Sequence, residues 1–261
     1  MDRPSVLPGE ASLYAERRGS GPPLALVHGF TQNRRCWGPV AEDLARDHEL
    51  VLIDAPGHGQ SCEVVADLVG GGHLIAEAAG PATYLGYSMG GRFALHTALE
   101  RPDVVDGLIL VGATAGIEDP GERAARLADD EARARRIEEI GVEAFVGEWL
   151  SLPIFSGLGA DVACRDERVE NTAAGLASSL RMAGTGSQVP TWDRLDELTM
   201  PVLVVAGADD AKFVALGERL AASIGASATF ETIAGAGHTA HLERPERFLV
   251  TVRRWLERHR R

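Results

Sequence analysis

Ser88 lies in Gly86-Tyr87-Ser88-Met89-Gly90-Gly91, and two later groups could activate its hydroxyl: the adjacent acids Asp209 and Asp210, and His238. A serine hydroxyl is a poor nucleophile or base until an imidazole accepts its proton. The imidazole in turn needs a carboxylate to hold its tautomer and to stabilise its cationic form. Serine, acid and histidine in this order therefore suggest proton abstraction or nucleophilic attack by Ser88. His241, three residues beyond His238, could suggest a metal pair, but no third ligand accompanies it. Neither a metal nor a cofactor is expected.

Such side chains must be carried on elements that converge. Ala82-Thr83-Tyr84-Leu85 reads as a strand and Gly90 to Glu100 as a helix, so Ser88 occupies a sharp strand-to-helix turn. Gly86 and Gly90 lack a Cβ, which lets strand and helix pass closely while Ser88 takes a strained conformation. The helix start then aims free N–H groups and a positive dipole end at charge developing beside Ser88. Leu24–Val27, Leu50–Ile53, Val105–Val111, Pro201–Ala206 and Ala228–Ile233 read as buried strands, after a short β-type start at Leu13-Tyr14-Ala15. Helical patterns cover Trp37–Leu44, Asp67–Ala79, Val214–Ile224 and Pro245–Arg260, the last with Phe248, Val252, Trp255 and Leu256 inward. Gly70-Gly71-Gly72 is a poor helix interior. Strands alternating with helices imply a parallel, doubly wound sheet. His28-Gly29-Phe30 leaves one strand in a way that can aim the Phe30 N–H at Ser88; His28, Asp54 and His58 read as loop-fixing residues.

From Ala115 to Asp196 the alternation stops. Helical stretches over Glu122–Ile140, Val142–Leu150 and Arg168–Met182, with Trp149, Phe155 and Trp192, suggest a cap over the Ser88 turn. The division is then a core of residues 1–114 and 197–261 and a helical cap insertion of residues 115–196.

A length of 261 residues suits one α/β domain with one insertion, and 45% hydrophobic with 25% charged residues is ordinary globular composition. A net charge of −12 argues against nucleic acid or an anionic membrane surface as partner. A small anionic substrate stays compatible, because a pocket needs only a few arginines. Cys36, Cys62 and Cys164 are far apart along the chain and lack metal-ligand spacing, which suits reduced cytoplasmic thiols. Met1-Asp2-Arg3-Pro4 lacks an apolar signal core, and no run approaches the ~18 apolar residues of a membrane span.

The chain order Ser88, acid, His238 resembles that of the α/β-hydrolase fold, whose acid follows the strand-ending glycine by three residues and so selects Asp210. In that arrangement the oxyanion hole is built from backbone N–H groups, here those of Phe30 and Met89. Four blocks narrow the resemblance: Gly86 to Arg92; Ser179-Leu180-Arg181-Met182-Ala183-Gly184-Thr185-Gly186-Ser187-Gln188 with Trp192; Gly207 to Asp210-Ala211-Lys212-Phe213; and Gly237-His238-Thr239-Ala240-His241 with Glu243 and Pro245. Together they look like the 2-succinyl-6-hydroxy-2,4-cyclohexadiene-1-carboxylate synthases of menaquinone biosynthesis. The resemblance implies a lyase without cofactor, in which the activated serine takes a ring proton from a polycarboxylated enolpyruvyl cyclohexene and pyruvate is expelled. It implies Arg92, Arg126 and Arg168 as carboxylate-binding residues, Tyr87, Trp149 and Phe155 as pocket aromatics, and Lys212 as a support of the acid loop. Two departures stand out. Ala55 replaces the family's leucine in Asp54-Ala55-Pro56-Gly57-His58-Gly59, and Glu118 stands where a glutamine is expected, near the cap entrance, where a carboxylate would repel an anion. The same triad would also serve a hydrolase of carboxylic esters or of C–C bonds, and the fold alone could serve as a small-molecule receptor.

Overall fold

Mostly apolar runs of five to seven residues form the central strands of one sheet, flanked by the more polar edge strands Ala15–Gly19 and Ala228–Ile233. The computed structural model describes residues 12–259; the Met1–Pro4 opening and the final residue of the expected closing helix, Arg260, lie outside them. β1 (Ala15–Gly19), β2 (Pro23–Val27), β3 (Glu49–Ile53), β4 (Ala82–Tyr87), β5 (Val105–Val111), β6 (Val202–Gly207) and β7 (Ala228–Ile233) are ordered β1-β3-β2-β4-β5-β6-β7. Every neighbouring pair is parallel except β1–β3. The central strands are almost wholly buried on both faces, which explains why Leu, Ile, Val and Ala dominate them.

α1 (Gly38–Leu44) and α8 (Pro245–Arg258) cover one face, where Val40, Leu44, Phe248, Val252 and Trp255 pack on Leu24, Leu50 and Ile109. α2 (Leu68–Ala79), α3 (Met89–Glu100) and α7 (Ala211–Ile224) cover the other through Ile75, Phe93 and Leu220. The triple glycine does not interrupt α2. A Cβ on Gly71 would lie 2.3 Å from the Phe93 ring and one on Gly72 3.0 Å from the Thr97 nitrogen, so these glycines let α2 approach α3 closely. Tertiary packing offsets the propensity cost of about 1 kcal/mol per glycine. The expected helix from Trp37 opens instead with a 3-10 turn, Arg34–Trp37, and α7 starts at Ala211 because Asp210 caps it. The β-type start lies later than expected: Leu13 is buried, but pairing begins at Ala15.

Between β5 and β6 the chain forms α4 (Pro120–Leu150), α5 (Arg165–Val169) and α6 (Ala173–Ala183). α4 joins the two expected stretches, with a break at Gly141 (φ 79°, ψ 168°). The stretch read as one helix from Arg168 to Met182 is two, because Thr172 leaves helical geometry and caps α6 through the Gly175 N–H. Ala134, Ile137, Phe145, Leu176 and Leu180 form a small core of this layer, and Phe30 from the loop after β2 packs into it. That contact fixes the layer over the C-terminal ends of the strands, where the loops carrying Ser88, Asp210 and His238 emerge. In open parallel sheets, that edge is where ligands bind.

Candidate active site

Ser88 has φ 51° and ψ −109°, a strained backbone geometry for a residue with a Cβ. The turn is over-determined. A Cβ on Gly86 would come within 2.3 Å of the Gly90 carbonyl oxygen, and one on Gly90 within 2.1 Å of that of Val27. The Ser88 N–H donates to the Val111 carbonyl at 2.8 Å and its carbonyl accepts from the Arg92 N–H at 3.1 Å. The hydroxyl is thus locked at the head of α3.

His238, on the loop after β7, places Nε2 3.1 Å from Ser88 Oγ and Nδ1 3.0 Å from Asp210 Oδ2. With the Nδ1 proton on the Asp210 side, Nε2 is free to accept the hydroxyl proton. Asp210 is itself held as the N-cap of α7, accepting from the Phe213 N–H at 3.3 Å. Burial alone would raise its carboxyl. The His238 hydrogen bond and charge, the Phe213 N–H and the Lys212 ammonium outweigh this and hold it below the usual carboxylate range. Asp209 is exposed, so of the two candidate acids only Asp210 meets the imidazole. The ring of Phe213 lies 4.4 Å from that of His238 on one side and Tyr87 5.4 Å away on another, which restrains the imidazole.

Ser88 opens into a small cleft bounded by Phe30, Met89, Arg92, Arg126, Trp149 and Phe213 among others. Met89 is the first residue of α3, so its N–H precedes the first intrahelical acceptor and points out of the helix end. Arg92 is only 7% exposed, and its Nη1 donates to the Ala183 carbonyl at 2.7 Å. Burial, followed by the neighbouring Arg126 charge, brings its pKa down to about 10 against the opposing pull of Asp130. Arg126 donates from Nε to Asp130 Oδ1 at 2.8 Å, and Asp130 Oδ2 accepts from the Gly186 N–H at 2.9 Å. Two guanidinium groups thus face one cleft beside a single buried carboxylate, an arrangement suited to an anion.

Three expected pocket residues lie elsewhere. Arg168 is fully buried and does not line the cleft: its guanidinium donates to the carbonyls of Ala163 (2.7 Å) and Phe30 (3.3 Å) and to the Thr31 hydroxyl. It ties the start of α5 to the Phe30 loop, and the helical periodicity that placed it in a longer helix could not reveal those carbonyls. Tyr87 points under the turn, between His238 and His241 (ring centroids at 4.4 Å from the latter), and burial pushes its phenol up. Phe155 backs Trp149 at 5.6 Å instead of facing the cleft. Glu118, expected to repel an anion at the entrance, pairs with Arg219 at 2.6 Å, which offsets its charge, and that guanidinium lies 3.8 Å over Trp192.

The loop-fixing readings hold. His28 Nε2 accepts from the Ala55 N–H at 3.1 Å, and Asp54 accepts from the Arg34 backbone and side chain and from the Gln60 N–H. His58 places Nδ1 2.9 Å from the Pro56 carbonyl. Lys212 lies on the far side of Asp210, lining a second cleft with Arg244. His241 packs against Tyr87, Trp37 and Phe248, where burial and the nearby Arg168 and His238 bring its pKa down to about 3. Among the described residues no group of three or more His, Cys, Asp and Glu could hold a metal ion, and no helix is long and apolar enough to cross a membrane. Sequence reasoning missed Phe213 as a wall, Ser179, whose Oγ lies 3.4 Å from Met89 Sδ, and Asp130. The Arg126–Asp130 spacing of one helical turn was the available signal for the last.

Comparison with known proteins agrees with this fold. Residues 24–251 match the alpha/beta hydrolase family. A Bacillus subtilis (strain 168) protein provisionally named 2-succinyl-6-hydroxy-2,4-cyclohexadiene-1-carboxylate synthase is 34% identical over 250 residues, covering 89% of each chain. The synthase of the same name from Serratia proteamaculans is 32% identical over 244 residues, covering 90% of this chain and 93% of that protein. Among solved structures, MenH from S. aureus superposes with a TM-score of 0.88 at 28% identity, over 95% of this chain and 99% of that one. A thermophilic esterase from Thermogutta terrifontis with malate bound gives 0.85 at 27% identity, over 98% and 97%.

Proposed function

We propose that this chain, which belongs to the alpha/beta hydrolase family, is a lyase that eliminates pyruvate from an enolpyruvyl-succinyl-hydroxycyclohexene carboxylate to give 2-succinyl-6-hydroxy-2,4-cyclohexadiene-1-carboxylate. The observation that carries the reading is the opening of the Ser88–His238 pair into a cleft faced by Arg92 and Arg126. The likeness to synthases of that name supports the same substrate.

In this reading His238 accepts the Ser88 proton while Asp210 stabilises the imidazolium, and Ser88 Oγ removes the ring proton next to the succinyl carbonyl. The C–H electron pair moves into the ring as the diene forms, and the C–O bond to the enolpyruvyl group breaks with its electrons on that oxygen. His238 returns the proton, and the departing enol becomes pyruvate. Charge developing on the succinyl carbonyl oxygen is met by the Phe30 and Met89 N–H groups, donors fixed in place before the reaction begins. Arg92 and Arg126 hold carboxylates in the cleft, with Trp149 as an apolar wall. Residues 115–196 act as a cap on the core of residues 1–114 and 197–261. The enzyme is cytoplasmic, needs no cofactor, and takes a small anionic substrate instead of nucleic acid or membrane.

A second reading keeps the triad but uses Ser88 as a nucleophile or water activator on esters or C–C bonds, supported by the likeness to the Thermogutta esterase. The deciding assay offers the enolpyruvyl intermediate and a simple activated ester in parallel. Pyruvate release with a new diene chromophore is expected; turnover of the ester alone would establish the hydrolase. Tight ligand binding without turnover, unchanged in Ser88→Ala, would establish a receptor.

A further inference from the structure

Cys36 and Cys164 are far apart in sequence but meet in the fold. Cys36 lies in the 3-10 turn Arg34–Trp37, just past the Phe30 loop, and Cys164 immediately precedes α5. The Cys164 thiol donates to the Cys36 carbonyl oxygen at 3.5 Å, and the two cysteine side chains are electrostatic neighbours. They differ in access. Cys36 is 1% exposed and also receives the Asn33 N–H at 3.5 Å, whereas Cys164 is partly open to solvent. Burial pushes the Cys36 thiol up. The Cys36 contact, against an opposing burial effect and with help from the Arg168 charge, lowers that of Cys164. An accessible, more easily ionised thiol beside a sheltered partner is the arrangement of an attacking and a resolving cysteine.

The two segments are also held in register without a covalent bond. Asn33 Nδ2 donates to the Glu167 carbonyl at 2.8 Å, Asn171 Nδ2 donates to the Thr31 carbonyl at 2.7 Å, and Arg168 donates to the Phe30 carbonyl. The two segments that carry the sulfurs are therefore already apposed, which reduces the backbone movement that is the usual obstacle to a new disulfide.

We propose that Cys36 and Cys164 form a reversible intramolecular disulfide that fastens the α5 segment to the turn behind Phe30. The oxidant is a low-molecular-weight disulfide. The Cys164 thiolate attacks one of its sulfurs, forming a mixed disulfide and releasing one thiolate. The Cys36 thiolate then attacks the Cys164 sulfur and releases the second. Two protein thiols are oxidised, one small disulfide is reduced to two thiols, and two protons pass from the cysteines to the leaving thiolates.

The test incubates the folded, fully reduced chain with glutathione disulfide, removes it, counts thiols in denaturant and maps non-reduced peptides. The expected result is loss of two of the three thiols, a cross-linked peptide pair containing Cys36 and Cys164, no retained glutathione, and full reversal by dithiothreitol. Cys62→Ser behaves in the same way, and Cys36→Ser stops with glutathione on Cys164. Amide exchange across residues 30–36 slows in the oxidised form. Retention of all three thiols, stable glutathione on Cys164 of the unaltered chain, or a cross-link involving Cys62 would overturn the proposal. Peptide mapping of the unaltered chain decides the matter even if a variant fails to fold.

Discussion

Arg92, one turn into α3, donates to the carbonyl of Ala183 at the end of α6 at 2.7 Å, so the buried cation of the elbow helix is anchored by the helical layer above it. The anchor leaves the other guanidinium N–H groups for the cleft. Arg92→Ala is expected to lower kcat/KM for the enolpyruvyl substrate by ~10–100-fold, the range of a lost charge-assisted hydrogen bond. Arg92→Lys should recover only part, because an ammonium lacks the planar fork. Steady-state kinetics on that substrate check this, and unchanged activity of Arg92→Ala would count against the lyase reading while leaving the triad intact.

Ser88→Ala and His238→Ala should each reduce turnover by at least ~10³-fold. Ser88→Ala should leave the thermal midpoint close to the parent, whereas His238→Ala removes a buried ring packed on Phe213 and Tyr87 and should lower it modestly without unfolding the chain. Turnover and melting measured on the same preparations check this, and a variant that keeps full turnover would remove the triad from the mechanism.

Buried histidines make stability depend on acid pH. Burial brings His58 and His241 to about 3 and His96 to about 4, all below their ordinary 6.5. The unfolded chain therefore takes up protons near pH 6.5 while the folded chain does not. Stability from this source is complete above pH 6.5 and falls as pH drops toward 4. Each histidine contributes a slope of at most about 1.4 kcal/mol per pH unit in that window. Urea unfolding from pH 7 to 4.5 should show the fall, and His241→Phe should flatten it by about one proton.

Neighbouring glycines in α2 should answer alanine with opposite signs. Gly70 meets only ordinary contacts, the nearest at 3.4 Å, so Gly70→Ala should stabilise by about 0.5–1 kcal/mol through helix propensity and lost unfolded-state entropy. Gly71→Ala would drive its Cβ to 2.3 Å from Phe93 and should destabilise by about 1–3 kcal/mol. Denaturant midpoints of the two variants decide it; stabilisation by both would mean that α2 and α3 are less tightly apposed.

The strands and the triad could be read from the chain because their signals are local. β4, β5 and β6 are predominantly apolar runs, and Ser88 and His238 stand in short motifs at strand ends. What escaped notice depends on contacts across the fold. Thr172 ends one helix and starts another by a cap that apolar periodicity hides. Arg168 and Arg126 look alike as charges on helical stretches. One meets backbone carbonyls under the Phe30 loop and the other a buried aspartate at the cleft, a difference that belongs to tertiary neighbours alone. Glu118 acquires Arg219 as a partner a hundred residues later, and Cys36 meets Cys164 across the boundary between layers.

The sheet order places the loop bearing His238 after β7, the outermost strand, whereas Ser88 follows the central β4, 150 residues earlier. A nascent polypeptide that has not yet released β7 holds its hydroxyl without the proton acceptor. Competence is accordingly acquired only once β7 and the loop that follows it have been made, and a refolding time course followed by turnover reports docking of the outer edge. One followed by tryptophan fluorescence mixes that event with assembly of the interior.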